Sequence, residues 1–592
     1  MADYRKKRGR LFCLLMIFTL LAVGCGNSGT ADKSLNVDQT NDHAENEGAG
    51  NSEIENEQGA NGEAESEPVG DKGLAELEEE ERALVPIEVS MEENYRTYYE
   101  VFVYSFFDGN GDGIGDLKGL TDKLDYINDG DPMTTADLGC NGIWLMPIMP
   151  SPSYHKYDVT DYCEIDPEYG TMEDFENLIE ECNKRDIKVI IDFVINHSSS
   201  EHPWFQEACR YLTELGDGEP SVEECPYVDY YHFSKEAGNG YSQVPGSDIW
   251  YYEAQFYYGM PDLNLWNEQL RGEIEEIVDF WLSKGVGGFR LDAAKEYETG
   301  ADSANVEILT WFTDMVKEKK EDAYLVAEVW TDITTYAQYY DSGIDSVFDF
   351  AFADSDGIIA NVAKSSTPAS AYGKSLENVQ EMFAQHNPDY IDAPFYTNHD
   401  LARSAGYFSG EDAEAQTKIA GALNLLMTGN AFVYYGEELG MKGAGKDENK
   451  RAPMYFTDDK NAVGMCSGPA DMDSIKMKYG SLEEQQQDPY SIYHYYKKAI
   501  RIRNAFPAIM KGSVTNLENY SDDTMTAFTK TYEDEVIYIF CNISAEPRTV
   551  QISGDDFGIE EIAAGLYVDE NEAMLEGNEV TIPRYGVVIF SK

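Results

Sequence analysis

Short apolar runs recur along this chain, separated by stretches of helical period. "TYYEVFVYSF" (97–106), "GIWLMPI" (142–148), "KVIIDFVI" (188–195), "GGFRLDAA" (287–294), "YLVAEVW" (324–330), "SVFDF" (346–350), "APFYTN" (393–398) and "AFVYYGEE" (431–438) are eight of them. Near-continuous apolar character with β-branched and aromatic residues is the pattern of strands buried on both faces. Segments such as "MEDFENLIEECNKRD" and "EIEEIVDFWLSKG" lie between them and repeat apolar residues at helical spacing. This alternation predicts an α/β fold with a parallel sheet, and eight units predict closure into a (β/α)8 TIM barrel. One connection is out of scale. Residues 197–265, after the third run, are irregular and aromatic-rich, which predicts an inserted domain. From about residue 511, "TAFTKTYEDEVIYIFCNIS" and "GNEVTIPRYGVVIFSK" alternate at period two without helices, predicting a C-terminal antiparallel β-sandwich domain. The barrel then comprises residues 91–196 and 266–510.

The N-terminal stretch is of another kind. Arg5, Lys6, Lys7, Arg8 and Arg10 precede "LFCLLMIFTLLAV", a run too short to span a bilayer and of signal-peptide form. Its "LLAVGC" ending is similar to a bacterial lipobox, with Ala22 where Leu is more usual. Residues 1–24 are therefore expected to be a lipoprotein signal peptide and Cys25 the lipidated residue. That places the body outside the cytoplasm, at the cell surface, anchored to the bacterial membrane. Residues 25–90 are polar, acidic and Gly-rich, expected to form a disordered tether in which "LAELEEEERAL" adds a short helix.

Charge narrows the partners. With 44 basic against 110 acidic residues and a net charge of -66, nothing would offset phosphate repulsion, so nucleic acid is excluded. A monomer is expected. Cysteine usage adds little: apart from Cys13 and Cys25, seven remain, without CxxC spacing, and Cys209–Cys225 is the one candidate bridge.

Chemistry in a barrel is sought at the C-terminal ends of the strands. "DFVINHS", "GFRLDAAK", "AEVW", "YTNHD" and "YHKYDVTDY" carry polar groups there. Asp292, Glu328 and Asp400 each end an apolar run, where a carboxylate is costly unless paired or used. Arg290 lies two residues before Asp292, on the same face of a strand, and would keep that acid ionised. Two carboxyls in different environments are what glycoside hydrolysis requires. The loop "DGNGDGIGD" (108–116) sets Asp108, Asn110 and Asp112 at alternate positions, like the start of an EF-hand. Position 12 of such a loop is Gly119, and a strand pattern precedes it, so an ion-holding loop is expected rather than an EF-hand.

"DFVINH", "GFRLDAAK", "EVW" and "TNHD", in that order at strand ends, and "MPDLN" at 260–264, resemble the motif regions of glycoside hydrolase family 13, the α-amylase family, over roughly residues 97–592. The resemblance implies that Asp292 is the nucleophile of a retaining mechanism, Glu328 the general acid/base, and Asp400 the group that grips the sugar hydroxyls. Arg290 would position Asp292, His197 and His399 would bond the sugar, and Tyr157 would stack beneath it. Asp158 and Arg403 resemble a pair that caps the terminal sugar in exo-acting relatives, and Lys295 is a further substrate-binding candidate. The loop is similar to a family calcium site, with Asp108, Asn110, Asp112, Asp116 and the Ile114 carbonyl as Ca2+ ligands. A second family calcium site, near Asn196, lacks its usual His because Glu296 follows Lys295. Ala293 after the nucleophile favours α-1,4 over α-1,6 bonds. The expected activity is endo-acting hydrolysis of starch or maltodextrins without an organic cofactor. The alternatives are an exo-α-glucosidase, a glucanotransferase, or a non-catalytic glucan-binding surface protein.

Overall fold

The computed structural model describes residues 73–552 and 561–592. The readings made for residues 1–72, including the signal peptide and Cys25, lie outside the described residues. Among the described residues no helix is long and apolar enough to cross a membrane.

Seven parallel strands form the barrel wall. They are β1 (Thr97–Val101), β2 (Gly142–Leu145), β3 (Lys188–Phe193), β7 (Gly288–Leu291), β8 (Tyr324–Ala327), β9 (Ser346–Val347) and β10 (Ala431–Tyr434), in the order β10-β1-β2-β3-β7-β8-β9. The expected strand at "APFYTN" is reduced to two isolated bridges, Phe348↔Ala393 and Phe395↔Phe432, which close the ring between β9 and β10. Pro394 sits between the bridging residues, and without an N–H it cannot sustain a ladder there.

Period two divides each strand. Tyr98, Trp144, Ile190, Tyr324, Val326, Phe348 and Phe432 fill the barrel interior as one apolar cluster. Tyr98 is stacked on Tyr324 and Phe432 with centroids 5.3 and 4.9 Å apart. A side chain at Gly142 would meet the Tyr98 ring at 2.6 Å, so glycine there is what lets the tyrosine lie across the barrel floor. The next inward positions toward the C-terminal ends are Glu100, Asp192 and Arg290. The outward residues, such as Tyr99, Val101, Ile143, Ile191 and Leu325, pack under the surrounding helices.

The insert follows β3 as predicted. It holds a helix (Pro203–Leu215) and a small antiparallel sheet of β4 (Phe233–Ser234), β6 (Tyr251–Glu253) and β5 (Tyr241–Gln243). Its aromatic run divides: Trp250 and Tyr252 are buried, whereas Phe256, Tyr257 and Tyr258 are 50–62% exposed. Cys209 and Cys225 are both free and buried, so the candidate bridge is not formed; each thiol packs as a small apolar group. Beyond residue 512 two antiparallel sheets, of five and three strands, enclose Met525, Phe540, Val580, Ile582 and Phe590.

The folded body begins earlier than expected. Residues Leu74–Ala83 form a helix that packs on the body, with Glu81 wholly buried and its carboxylate 2.9 Å from the Lys497 ammonium. Lys498 bonds Glu80 at 3.0 Å, and Arg501 donates to the Glu81 carbonyl. The following segment crosses the N-terminal ends of the strands, where Arg96 donates to the carbonyls of Ser90, Asn141 and Asp186. The tether reading therefore does not hold for residues 73–90: a buried ion pair, Glu81–Lys497, gives this acidic helix the partner that its composition concealed.

Candidate active site

Three strand ends converge on one guanidinium. Arg290, inside the barrel on β7 and wholly buried, places Nη1 2.8 Å from Asp192 Oδ1 and 2.7 Å from Asp292 Oδ1. Its Nη2 lies 3.0 Å from Glu328 Oε2. The register supports this, since Asp192 and Arg290 are cross-strand partners on β3 and β7, and Arg290 pairs Val326, two residues before Glu328. After Asp292 the chain turns sharply: Ala293 has φ 46° and ψ 38°, a left-handed conformation that costs a non-glycine residue about 1 kcal/mol. The turn aims the Ala293 N–H at Glu328 Oε2, 3.0 Å away.

The carboxyls differ in environment. Burial pushes the Glu328 pKa above the ordinary range; Arg290 pulls it down without restoring it, and Asp292 and Asp400 add to the rise. Asp400 has a side chain 32% exposed, against 9% for Glu328. Burial would raise the Asp400 pKa too, but His399 and the guanidiniums of Arg451 and Arg290 hold it far below the usual carboxylate range. His399 Nε2 and Arg451 Nη2 each lie 3.1 Å from an Asp400 oxygen. One acid is thus poised to carry a proton and another to stay anionic.

The other expected residues fall into three groups. Tyr157 and His399 belong to the cluster: their rings stack at 5.4 Å, and the Tyr157 hydroxyl lies 2.9 Å from Asp192 Oδ2 and 2.7 Å from His399 Nε2. His197 is buried with its Nε2 unpartnered, and its pKa is lowered by burial against the pull of Asp292 and Asp158. Lys295 stands at the rim, tied to Asp302 at 3.0 Å rather than to the acids. The Asp158–Arg403 pair is not formed. Asp158 accepts from the hydroxyls of Ser151 (2.6 Å) and Ser153. Arg403 instead stacks over Tyr434 and Tyr435 and donates to the carbonyls of Lys450 and Tyr435.

Sequence reasoning missed Arg451, Lys450 and Glu100. Arg451 also reaches the Tyr154 hydroxyl at 3.2 Å, and Lys450 donates to the Asp400 carbonyl at 2.7 Å. An adjacent Lys-Arg pair is conspicuous in so acidic a chain, but no periodicity points from it to the cleft. Glu100 accepts from His399 Nδ1 at 2.6 Å from the barrel interior; a carboxylate at an inward position of an apolar strand was the available signal.

In the 108–116 loop, Asp108 accepts from the N–H of Asn110, Gly111 and Gly113, and Asp116 from those of Gly109, Asn110 and Gly119. Asp112 accepts from Ile114 N–H, and Asp112 N–H donates to Asn110. Among the described residues no group of three or more His, Cys, Asp or Glu is disposed to hold a metal, and the three Asp of the expected set, whose carboxylates are turned onto backbone N–H groups of the loop, form none. Those donors are hard oxygens of the kind calcium takes.

A (β/α) barrel whose strand ends gather three carboxyls, a bridging guanidinium and two histidines carries the site of a glycoside hydrolase. The comparisons agree. Residues 100–512 match the family model described as "Alpha amylase, catalytic domain". Alpha-amylase 3 of Dictyoglomus thermophilum is 38% identical over 498 residues, 83% of this chain and 92% of that protein. Glucan 1,6-alpha-glucosidase of Streptococcus pneumoniae is 30% identical over 521 residues, 77% of this chain and 92% of that protein. Among solved structures, Eubacterium rectale Amy13B is 50% identical with a TM-score of 0.83, over 86% of this chain and 98% of that one. The chain belongs to the α-amylase family of glycoside hydrolases, family 13.

Proposed function

We propose that this chain is a retaining α-amylase that cuts internal α-1,4 bonds of starch or maltodextrins. The observation that carries the mechanism is the shared guanidinium: Asp292 and Glu328 bind Nη1 and Nη2 of Arg290 at 2.7 and 3.0 Å. Two carboxyls bridged so closely support the spacing of about 5–5.5 Å used by retaining enzymes over the wider gap that would admit a water. Asp292 attacks the anomeric carbon and forms an ester bond as the glycosidic bond breaks. Glu328 gives its proton to the departing oxygen. The Glu328 carboxylate then takes a proton from water, whose oxygen attacks the same carbon and frees Asp292. Asp400, with His399 and Arg451 on its two oxygens, grips the sugar hydroxyls, His197 presents its unpartnered nitrogen, and Tyr157 stacks beneath the ring.

The preference for internal bonds rests on both ends of the cleft. The Asp158–Arg403 cap is not made, and aromatic surface flanks the acids on two sides. Phe256, whose ring lies 5.6 Å from His197, continues into exposed Tyr257 and Tyr258. Trp330, two residues after Glu328 and 52% exposed, stacks on Phe350. Ala293 supports α-1,4 specificity, as do the names of the relatives called α-amylases. We further propose that Asp108, Asn110, Asp112, Asp116 and the Ile114 carbonyl hold a structural Ca2+, and that Cys25 is lipidated, leaving the body at the cell surface.

The test is a product time course from starch and maltoheptaose with protein lacking residues 1–24, beside an Asp292→Asn control. Mixed oligosaccharides at early times, absent in the control, are expected. Glucose or maltose alone from the start would overturn internal cleavage, products longer than maltoheptaose would establish transfer, and turnover surviving Asp292→Asn would remove Asp292 from its role.

A further inference from the structure

His399 is caught between two carboxylates. Nδ1 lies 2.6 Å from Glu100 Oε1, and Nε2 lies 3.1 Å from Asp400 Oδ2. Nε2 is also 2.7 Å from the Tyr157 hydroxyl, which lies 2.9 Å from Asp192 Oδ2. A phenol has one proton, and the Tyr157 hydroxyl donates it to Asp192 Oδ2, so the Tyr157 oxygen faces His399 as an acceptor. Asp400, held by Arg451, is likewise acceptor-only. Nε2 therefore carries a proton. On the other side of the ring, among the described residues, Nδ1 meets the Glu100 carboxyl alone, buried to 1% exposure on β1.

We propose that Glu100 is a positioning residue: its carboxylate holds the His399 ring doubly protonated, with Nε2–H fixed toward Asp400, so that the cleavage subsite meets an imidazolium and not a neutral imidazole. This rests on the reading of His399 and Asp400 as sugar-gripping groups. The charges around the ring favour the ionic form. Asp192 from β3, Asp292 after β7, Glu328 after β8 and Asp400 beside the ring are carboxyls, faced by two guanidiniums, Arg290 and Arg451. Moving the proton from Glu100 to His399 leaves the net charge unchanged but sets the cation directly between the Glu100 and Asp400 carboxylates. Burial lowers the His399 pKa, but Asp400 and Glu100 more than reverse this and carry it to about 9. Burial also raises the Glu100 pKa, against the pull of His399 and Arg290. The consequence is mechanical as well as electrostatic. With both nitrogens donating, the ring has no second tautomer, and Asp400 is held from below by a charge-assisted bond.

The decisive measurement is an NMR titration of protein labelled with 15N-histidine, which has only 8 histidines to resolve, with His399→Gln to assign the signal. In the wild type, both His399 nitrogens are expected to stay protonated to about pH 8; in Glu100→Gln, which keeps an acceptor but loses the charge, the ring should titrate below about pH 7. In kinetics, Glu100→Gln should lose kcat/KM about ten-fold more at pH 8 than at pH 6, a split that a simple loss of folding would not produce. Glu100→Asp, which restores the charge, should recover part of it. A wild-type ring that is neutral at about pH 7 overturns the proposal without any variant. An unchanged titration in Glu100→Gln overturns it as well. If the ring behaves as expected but Asp292→Asn still turns over, the functional reading fails while the protonation assignment stands.

Discussion

Replacing Arg290 by Lys removes the feature on which the site is organised. The guanidinium touches three carboxylates at 2.7–3.0 Å from two nitrogens, and one ammonium cannot span them. At about 3 Å and an effective dielectric of about 20, each charge contact has a gross attraction of about 5 kcal/mol, much of it offset by desolvation. The measurable quantity is the pKa of Glu328. Burial sets it above the ordinary range, and Arg290 is the largest influence opposing that rise. Weakening the contact should lift it further, because the charge that favours the ionised form is withdrawn. The proton donor is then the protonated form up to a higher pH, so the alkaline limb of kcat/KM moves up, not down. The maximal rate falls by about 10²-fold because Asp292 loses its orienting partner. Breaking the buried cluster should also cost about 3–5 kcal/mol of stability. The assay is the pH profile of kcat/KM on a chromogenic maltoside, with Tm by calorimetry. An alkaline limb that stays in place, or moves down, in a folded Arg290→Lys protein would refute the claim that this guanidinium sets the acid.

Alanine at Phe256, Tyr257 and Tyr258 together should raise KM for maltoheptaose by about a hundred-fold and leave maltotriose nearly unchanged, since each ring contributes stacking on the order of 1 kcal/mol only where sugar reaches it; equal losses on both substrates would remove the platform from the cleft. Chelation should lower Tm and calcium restore it, by about 2.7 kcal/mol at a hundred-fold excess over Kd. Asp112→Asn should blunt that response; a Tm indifferent to chelator would end the calcium assignment. Glu81→Ala leaves the Lys497 ammonium buried without its carboxylate and should cost about 3–5 kcal/mol of stability with kcat unchanged. An unaltered Tm would mean that the N-terminal helix contributes nothing to the body.

What could be read in advance followed from period and position. Asp292, Glu328 and Asp400 were legible because an acid at the end of an apolar strand has few structural uses, and Arg290 because two residues return to the same face of a strand. The insert was legible by its length. Three features were not. Pro394 reduces one expected strand to flanking bridges, a local effect that an apolar run does not reveal. The short helix expected at "LAELEEEERAL" is there, but its docking on the body was not legible, because its partners, Lys497, Lys498 and Arg501, lie more than four hundred residues away. Arg403 lies three residues after Asp400 and Arg451 fifty-one, and only the fold shows that the nearer one is spent on backbone carbonyls while the farther one reaches the acid.

The same strands build the floor of the site and its charge. On β1 the inward residues run from Tyr98 to Glu100, on β3 from Ile190 to Asp192, and on β8 from Tyr324 to Val326, with Glu328 following just after the strand. One inward step along a strand is about 6.6 Å, so the cluster of acids stands directly on a stacked aromatic plug. That plug keeps water from entering beneath the carboxyls, and a dry floor strengthens every charge contact above it. It also explains why burial is the largest influence on Glu328, Asp192 and Glu100 alike. A carboxyl raised by burial alone would simply be neutral. Arg290, entering from the same inward row, lets neighbouring acids differ in state, and that difference is what an acid and a nucleophile in one cleft require.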